Sequence, residues 1–201
     1  MSREALASLL VAALAQPAAG APPAMPHSPP PEWVSDARAA GQQLGSRLIA
    51  ALNTALADGG PVAAVEVCRI QAPAIQEAAS SARVRIGRTA LRVRNPDNQP
   101  DDWERSVLER FRQAVADGAD PATLEVWAEQ QLNGRRVGRW MKAIPTAPLC
   151  TTCHGSDLPP ELREVIAEHY PADQATGFRV GELRGAFSAR IMLDTPRPGS
   201  D

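Results

Sequence analysis

Aromatic residues and cysteines are scarce in this chain. Only 4% of its 201 residues are aromatic, and it has three cysteines. Three thiols are too few for the disulfide framework of a small secreted scaffold, and the odd number leaves one thiol over. An excess of positive charge is also missing, since 21 Lys and Arg face 23 Asp and Glu. This balance provides no cationic field for phosphate backbones, which argues against nucleic-acid binding.

The N-terminus has the pattern of a secretory signal peptide. Arg3 precedes an apolar run over 5–15 that is too short to span a bilayer, and small residues at 18–21 suit a signal peptidase. No later run is apolar enough for a membrane helix, so we expect a mature protein without a membrane span, in the periplasm or secreted. The expected organisation is a signal peptide over 1–21, a disordered proline-rich linker over 22–32, a folded domain over 33–195 and a tail over 196–201.

Hydrophobic periodicity predicts an α+β fold. Apolar spacings of three and four residues predict helices over 33–57, from Pro61 past Cys68, over 101–118 and over 159–169. Alternation predicts strands over 83–94, with a bulge near Gly87, over 124–132 and 135–144, joined by a turn at Asn133-Gly134, and over 187–193. Helices followed by interleaved strands and helices favour a mainly antiparallel sheet flanked by helices and preceded by an N-terminal helix.

The segment Cys150-Thr151-Thr152-Cys153-His154 has the Cys-x-x-Cys-His pattern of c-type haem attachment. Two thiols at this spacing can add to the vinyl groups of one porphyrin, and the adjacent imidazole can then bind the iron. A thioredoxin-like redox pair would lie in a βαβ unit, which is not predicted around the motif. A zinc site would need a second Cys/His pair, which the chain lacks. We therefore predict one covalently bound haem c.

The ligand on the other face of the iron is left open by the residues themselves. Cys68 is the thiol left over once the motif is used, and an inert buried cysteine is the alternative interpretation. A methionine, a histidine or an open position would also serve, the candidates being Met25, Met141, Met192, His27 and His169. Three arginines are candidate partners of the haem propionates, or else line a solvent face: Arg88, Arg92 and Arg94.

Further segments add to the haem motif. They are Ala64-Val65-Glu66-Val67-Cys68 with Ala72-Pro73, Arg88-Thr89 through Arg94-Asn95-Pro96-Asp97-Asn98 to Trp103-Glu104, Met141-Lys142-Ala143-Ile144, and Gly181-Glu182-Leu183-Arg184-Gly185-Ala186-Phe187-Ser188. Together with the motif they resemble a domain-of-unknown-function family of c-type haem proteins, which includes small secreted cyanobacterial cytochromes and extracytoplasmic input domains of bacterial sensors. The resemblance implies a PAS-like sheet flanked by helices, with His154 as the proximal ligand and Cys68 as the distal thiolate. One departure is Ala143, where the family tends to have proline.

The motif and the resemblance together predict a monohaem cytochrome with His/Cys ligation. A thiolate stabilises ferric iron, so we expect a low-potential electron carrier, or a sensor of redox state or of a diatomic gas. The alternative is an ordinary His/Met electron carrier. A peroxidase-type haem enzyme would need an open distal position and an acid–base residue, and we do not expect enzymatic activity. A redox or signalling partner is expected, but no residue pattern identifies it.

Overall fold

A computed structural model of the protein describes residues 29–194. The predicted signal peptide, most of the linker, Met25 and His27 lie outside the described residues. The helices are α1 (Trp33–Glu66), α2 (Ala72–Ala78), α3 (Asp102–Ala116), α4 (Pro148–His154) and α5 (Pro160–His169). The strands are β1 (Val84–Thr89), β2 (Glu125–Leu132), β3 (Arg135–Pro145) and β4 (Leu183–Met192). The short turns are a π-helical turn at Val67–Gln71 and 3₁₀ turns at Pro96–Asn98 and Pro121–Thr123.

The four strands form one open sheet in the order β1-β4-β3-β2, with antiparallel pairing throughout. The hairpin between β2 and β3 has the predicted Asn133-Gly134 turn, with φ of 51° and 76°. Positive φ at both positions is the geometry of a type I′ turn, which matches the twist of the strands it joins. The expectation of an α+β fold with an antiparallel sheet is confirmed.

The predicted strand over 83–94 is shorter than expected. It pairs with β4 in an unbroken register from Val84 opposite Ile191 to Thr89 opposite Ala186, so the expected bulge near Gly87 is wrong. The alternation changes parity because the strand ends at Thr89 and the chain leaves the sheet. The loop that follows carries Arg92 and Arg94, whose side chains contact Gln174 and Asp173.

Helices cover both faces of the sheet. The first half of α1 packs one face through Trp33, Val34 and Leu44, which meet Trp140 and Ile191. On the other face α3 packs against a separate set of strand residues: Val126, Met141, Ala143 and Ala186. Neighbouring strand residues such as 140 and 141 point to opposite faces, as the period of two in a strand requires. A third cluster joins α5 to the end of α1.

The long helix α1 is broken at Gly60, where φ is 69° and ψ is −166°, and Pro61 follows. The predicted stop at Gly59-Gly60 and restart at Pro61 are therefore seen as a kink. By length and composition alone, the helical segment 33–78 could cross a membrane, since one 18-residue window has a mean hydropathy of 1.4 and is 11% buried. The statement that no run after the leader is apolar enough for a membrane helix is thus wrong by this criterion, and the absence of a membrane span in the mature protein stays a prediction.

Candidate functional site

The Cys-x-x-Cys-His motif forms the short helix α4. Pro148 begins this helix, which suits a residue with fixed φ and no N–H. Cys150 and Cys153 are free, half-buried thiols three residues apart, a spacing that puts them on the same side of a helix. The strand β3 ends just before α4, but the sheet contains no parallel pair among the described residues, so the motif does not sit in a thioredoxin-like βαβ unit.

His154 ends this helix and is held by the loop between α5 and β4. Its Nδ1 lies 2.6 Å from the carbonyl oxygen of Ala175. A carbonyl can only accept, so Nδ1 carries the proton and Nε2 keeps its lone pair. Burial, together with the cationic Arg184 and Arg94, lowers the pKa of His154 to about 2. A neutral imidazole with one nitrogen anchored is the form that binds a metal through the other.

Cys68 lies in the π-helical turn between α1 and α2, within the segment predicted as a regular α-helix from Pro61 past Cys68. Insertions of this kind into helices occur frequently at functional sites. Cys68 is half-buried and interacts electrostatically with Cys153, Arg88 and Tyr170. Burial raises the pKa of the Cys153 thiol, and the neighbouring thiols of Cys68 and Cys150 raise it further, against the effect of Arg94. The fold thus brings the leftover thiol to the haem-attachment motif.

Two of the predicted arginines are already engaged. Arg94 is buried and pairs with Asp173 at 3.2 Å, and its Nη2 donates to the carbonyl of Cys153 at 2.7 Å. Arg92 is exposed, donates through Nε to the carbonyl of Gln174 at 3.0 Å, and lies 4.3 Å from the ring centre of Phe178. Both side chains therefore hold the loop between α5 and β4 in place.

Arg88 and Arg184 differ from these two arginines. Within the described residues, neither guanidinium forms a hydrogen bond or ion pair with a carboxylate. Arg88 is half-buried, and its Nε has no hydrogen-bond partner. Burial lowers its pKa, and only the neighbouring Cys68 and Tyr170 oppose this. Burial, followed by the charges of Arg94 and Arg88, lowers the pKa of Arg184 to about 10. Two half-buried guanidinium groups beside the motif therefore have no carboxylate as a hydrogen-bond or ion-pair partner within the described residues.

Arg184 also lies directly against the imidazole. Its Nη2 is 3.3 Å from Nε2 of His154 and 3.4 Å from Nδ1. Since Nδ1 donates to a carbonyl, only Nε2 can accept a hydrogen bond from this guanidinium. The Phe178 ring, edge-on to the imidazole at 6.4 Å, lies 5.0 Å from the Arg184 guanidinium carbon. Arg184 therefore occupies the neighbourhood of the ring nitrogen that would bind iron.

A cavity of about 630 Å³ adjoins this cluster. Arg92, Phe178 and Arg184 line one side, and the apolar side chains of Leu108 and Val115 from α3 line the other. Its volume falls in the range of cofactor and small-ligand pockets.

The alternative axial ligands lie in ordinary surroundings. Met141 is fully buried in the core between α3 and the sheet, and Met192 ends β4. His169 ends α5, with Nε2 3.1 Å from a carboxylate oxygen of Glu66. Within residues 29–194, no three His, Cys, Asp or Glu side chains are grouped as a conventional metal site.

Sequence reasoning missed several residues around His154, namely Asp173, Ala175, Phe178 and Arg184. Arg184 had a signal, because it lies in one of the segments that carry the family resemblance. The residues of the loop between α5 and β4 had none, because their role depends on backbone groups meeting across the fold.

Fold and site together define a class: an α+β domain with an open antiparallel sheet and a Cys-x-x-Cys-His helix placed beside a third thiol. The sequence model of the Tll0287-like family, described as Tll0287, matches residues 16–191, and the chain belongs to this family. The crystal structure of the cyanobacterial haem protein Tll0287 has a similar fold, with a TM-score of 0.56 and 21% identity over 84% of this chain and 100% of that chain. A comparison with curated proteins gives no match. The family resemblance inferred from the sequence is confirmed.

Proposed function

We propose that the protein binds one haem, held covalently as haem c through thioether bonds to Cys150 and Cys153. The similar solved structure is described as a haem protein, which supports the cofactor, and the motif supports the mode of attachment. The observation that carries the proposal is the state of His154. It is neutral and anchored through Nδ1, so the lone pair is on Nε2, and the contact of Arg184 with Nε2 at 3.3 Å would be given up when iron binds there.

The charges of the site fit this cofactor. Haem brings two propionates, and the site contains the half-buried Arg88 and Arg184, whose guanidinium groups face no carboxylate within salt-bridge distance in the described chain. Guanidinium forks match carboxylates in geometry and charge. Arg92 can assist at the exposed side, whereas the fork of Arg94 is occupied by Asp173. The propionate role predicted for three arginines is therefore proposed for Arg88, Arg92 and Arg184.

We propose that Cys68, as a thiolate, would be the second side chain to bind the haem iron, together with His154. Its position in the π-helical turn and its interaction with Cys153 support this choice over the methionines. When bound, the haem supplies one-electron redox chemistry and a site for diatomic ligands. As a ligand, the Cys68 thiolate would favour ferric iron and a low potential, and a Cys68 side chain able to leave the iron would allow a diatomic ligand to bind.

A Cys68 side chain that can leave the haem iron would suit a sensor of redox state or of a diatomic gas, which is the preferred function. The alternative with the same ligands is slow electron transfer at low potential. The proposal includes no catalytic residue. Location in the periplasm or outside the cell follows from the signal-peptide pattern and agrees with covalent haem attachment. An unidentified redox or signalling protein would receive the output.

Haem retention on a denaturing gel tests the attachment. The protein is expressed with a cytochrome c maturation system, and haem is detected by its peroxidase stain after denaturation. We expect stain at the protein band for the wild type and for Cys68→Ser, and none for Cys150→Ala/Cys153→Ala. Haem that leaves the wild-type chain on denaturation would contradict covalent attachment.

A further inference from the structure

A buried ion pair lies behind the proposed proximal ligand, on the side of Nδ1. Arg94 and Asp173 leave only 7% and 9% of their side chains exposed. Nε and Nη2 of Arg94 each lie 3.2 Å from a carboxylate oxygen of Asp173, which is the two-pronged arrangement typical of strong arginine–carboxylate pairs. Buried pairs of this kind fix geometry, because neither partner can be removed without stranding the other charge.

This pair is connected to His154 from both sides. Asp173 accepts a hydrogen bond from the N–H of Ala175 at 2.9 Å, and the carbonyl of the same Ala175 accepts from Nδ1 of His154. Arg94 donates to the carbonyl of Cys153, the residue before His154, and approaches the Ala175 carbonyl at 3.4 Å. The pair therefore ties α4 to the loop that holds the imidazole.

The remaining bonds between these two segments involve main-chain groups alone. Phe178 N–H donates to the His154 carbonyl at 2.8 Å, and Gly177 N–H donates to the Gly155 carbonyl at 2.9 Å. These bonds fix the backbone of the motif, but they do not contact the ring. Two groups contact the ring nitrogens: the Ala175 carbonyl accepts from Nδ1 at 2.6 Å, and Arg184 lies 3.3 Å from Nε2, so both favour a proton on Nδ1. The shorter contact depends on the conformation around Ala175, which Asp173 holds through the Ala175 N–H.

We propose that Arg94 and Asp173 are positioning residues for His154, which keep the Ala175 carbonyl on Nδ1 and so present Nε2 to the haem. This inference rests on the proposed function, since it assigns a purpose to the orientation of a haem ligand. It also replaces the propionate role expected for Arg94. Groups that anchor the far nitrogen of a ligating histidine fix its tautomer and orientation and raise its basicity as a ligand.

The tautomer can be measured in the haem-free chain by nitrogen NMR of the imidazole. We expect the Nδ1–H form in the wild type, and a measurable fraction of the Nε2–H form in Asp173→Ala. Asp173→Asn keeps an acceptor for the Ala175 N–H and should restore most of the wild-type signal. Asp157→Ala, at an exposed carboxylate just after the motif, is the matched control and should leave the signal unchanged.

The haem-loaded protein gives a second readout. We expect a single low-spin ferric species in the wild type and in Asp157→Ala, and an additional species with shifted g-values in Asp173→Ala. Arg94→Gln removes the hydrogen bonds to the Cys153 and Ala175 carbonyls and should show the same change of tautomer. If Asp173→Ala does not fold, Arg94→Gln tests the positioning role in its place. A wild-type tautomer in Asp173→Ala, or in Arg94→Gln in that case, would overturn the inference. Failure of the wild type to take up haem would instead contradict the proposed function, and the NMR result would stand separately.

Discussion

Replacing Arg184 by methionine should stabilise the haem-free protein. Arg184 is half-buried, and partial burial together with the charges of Arg94 and Arg88 lowers its pKa from an ordinary 12.5 to about 10. That difference corresponds to about 3 kcal/mol against the charged form in the folded state, at about 1.4 kcal/mol for each tenfold change. The side chain recovers part of this through weak hydrogen bonds at 3.3 Å to His154 and 3.5 Å to the Arg92 carbonyl, together worth about 1 kcal/mol. The expected gain is therefore about 2 kcal/mol.

The sign of the pH dependence follows from the direction of the shift. A base with a lowered folded pKa destabilises the fold at every pH where it is charged in both states, and this effect fades only as the pH rises above the folded value. The gain of Arg184→Met should accordingly be constant across neutral pH. In the haem-loaded protein the same substitution removes a propionate partner, so the gain should shrink or reverse.

Urea denaturation of the haem-free chain, carrying Cys150→Ala and Cys153→Ala in every sample, measures this effect. Arg179→Met is the matched control, since Arg179 is an exposed arginine in the loop just before β4, and it should change the stability by less than about 0.5 kcal/mol. A haem-free Arg184→Met protein that is less stable than its parent would refute the idea that this charge is uncompensated without haem.

Two further predictions concern the frame of the site. A Cβ added at Gly185 would lie 2.5 Å from the carbonyl oxygen of Thr89, so Gly185→Ala should lower the free energy of unfolding by about 1–3 kcal/mol. At Gly87 the nearest atoms are 3.5 Å away, so Gly87→Ala should lower it by less than about 1 kcal/mol. Thermal unfolding compares the two variants, and equal losses of stability would contradict the packing. Burial raises the pKa of Asp101, but a backbone N–H of α3 and the guanidinium of Arg139 outweigh it and hold the pKa below its ordinary 3.8. Asp101→Asn should therefore lower stability by about 1 kcal/mol at pH 7, and this loss should disappear as the pH falls through and below 3.8; a loss independent of pH would exclude the ionic contribution.

The sequence predicted most elements because local chemistry decides them. The Asn133-Gly134 turn forms because both residues accept positive φ, and Asp101 with Glu104 forms the capping box that begins α3. The length of the strand after Arg83 was overestimated because tertiary packing, and not local chemistry, decides where it ends. Val93 alternates like a strand residue, but it is buried in a loop, and alternation alone does not distinguish the two.

The site was predictable to the extent that its chemistry lies in a contiguous motif. Cys150, Cys153 and His154 are recognisable from their spacing, and Cys68 from being the thiol left over. The π-helical turn could not be predicted, because it changes the helical period over only five residues. The anchor of His154 could not be predicted either, because it is the backbone carbonyl of Ala175. Asp173 holds this residue through the Ala175 N–H, and Asp173 lies 19 residues beyond His154 in a segment without a motif.

The central claim is that His154 and Cys68 hold the haem iron between them. The most direct test is the ferric electron paramagnetic resonance spectrum of the haem-loaded protein, recorded for the wild type and for Cys68→Ser. We predict a low-spin signal with the narrow g-value spread of thiolate ligation in the wild type, and its loss in Cys68→Ser while the haem stays covalently bound. An identical spectrum in the two proteins, or a wild-type signal typical of His/Met or high-spin iron, would contradict the assignment of Cys68.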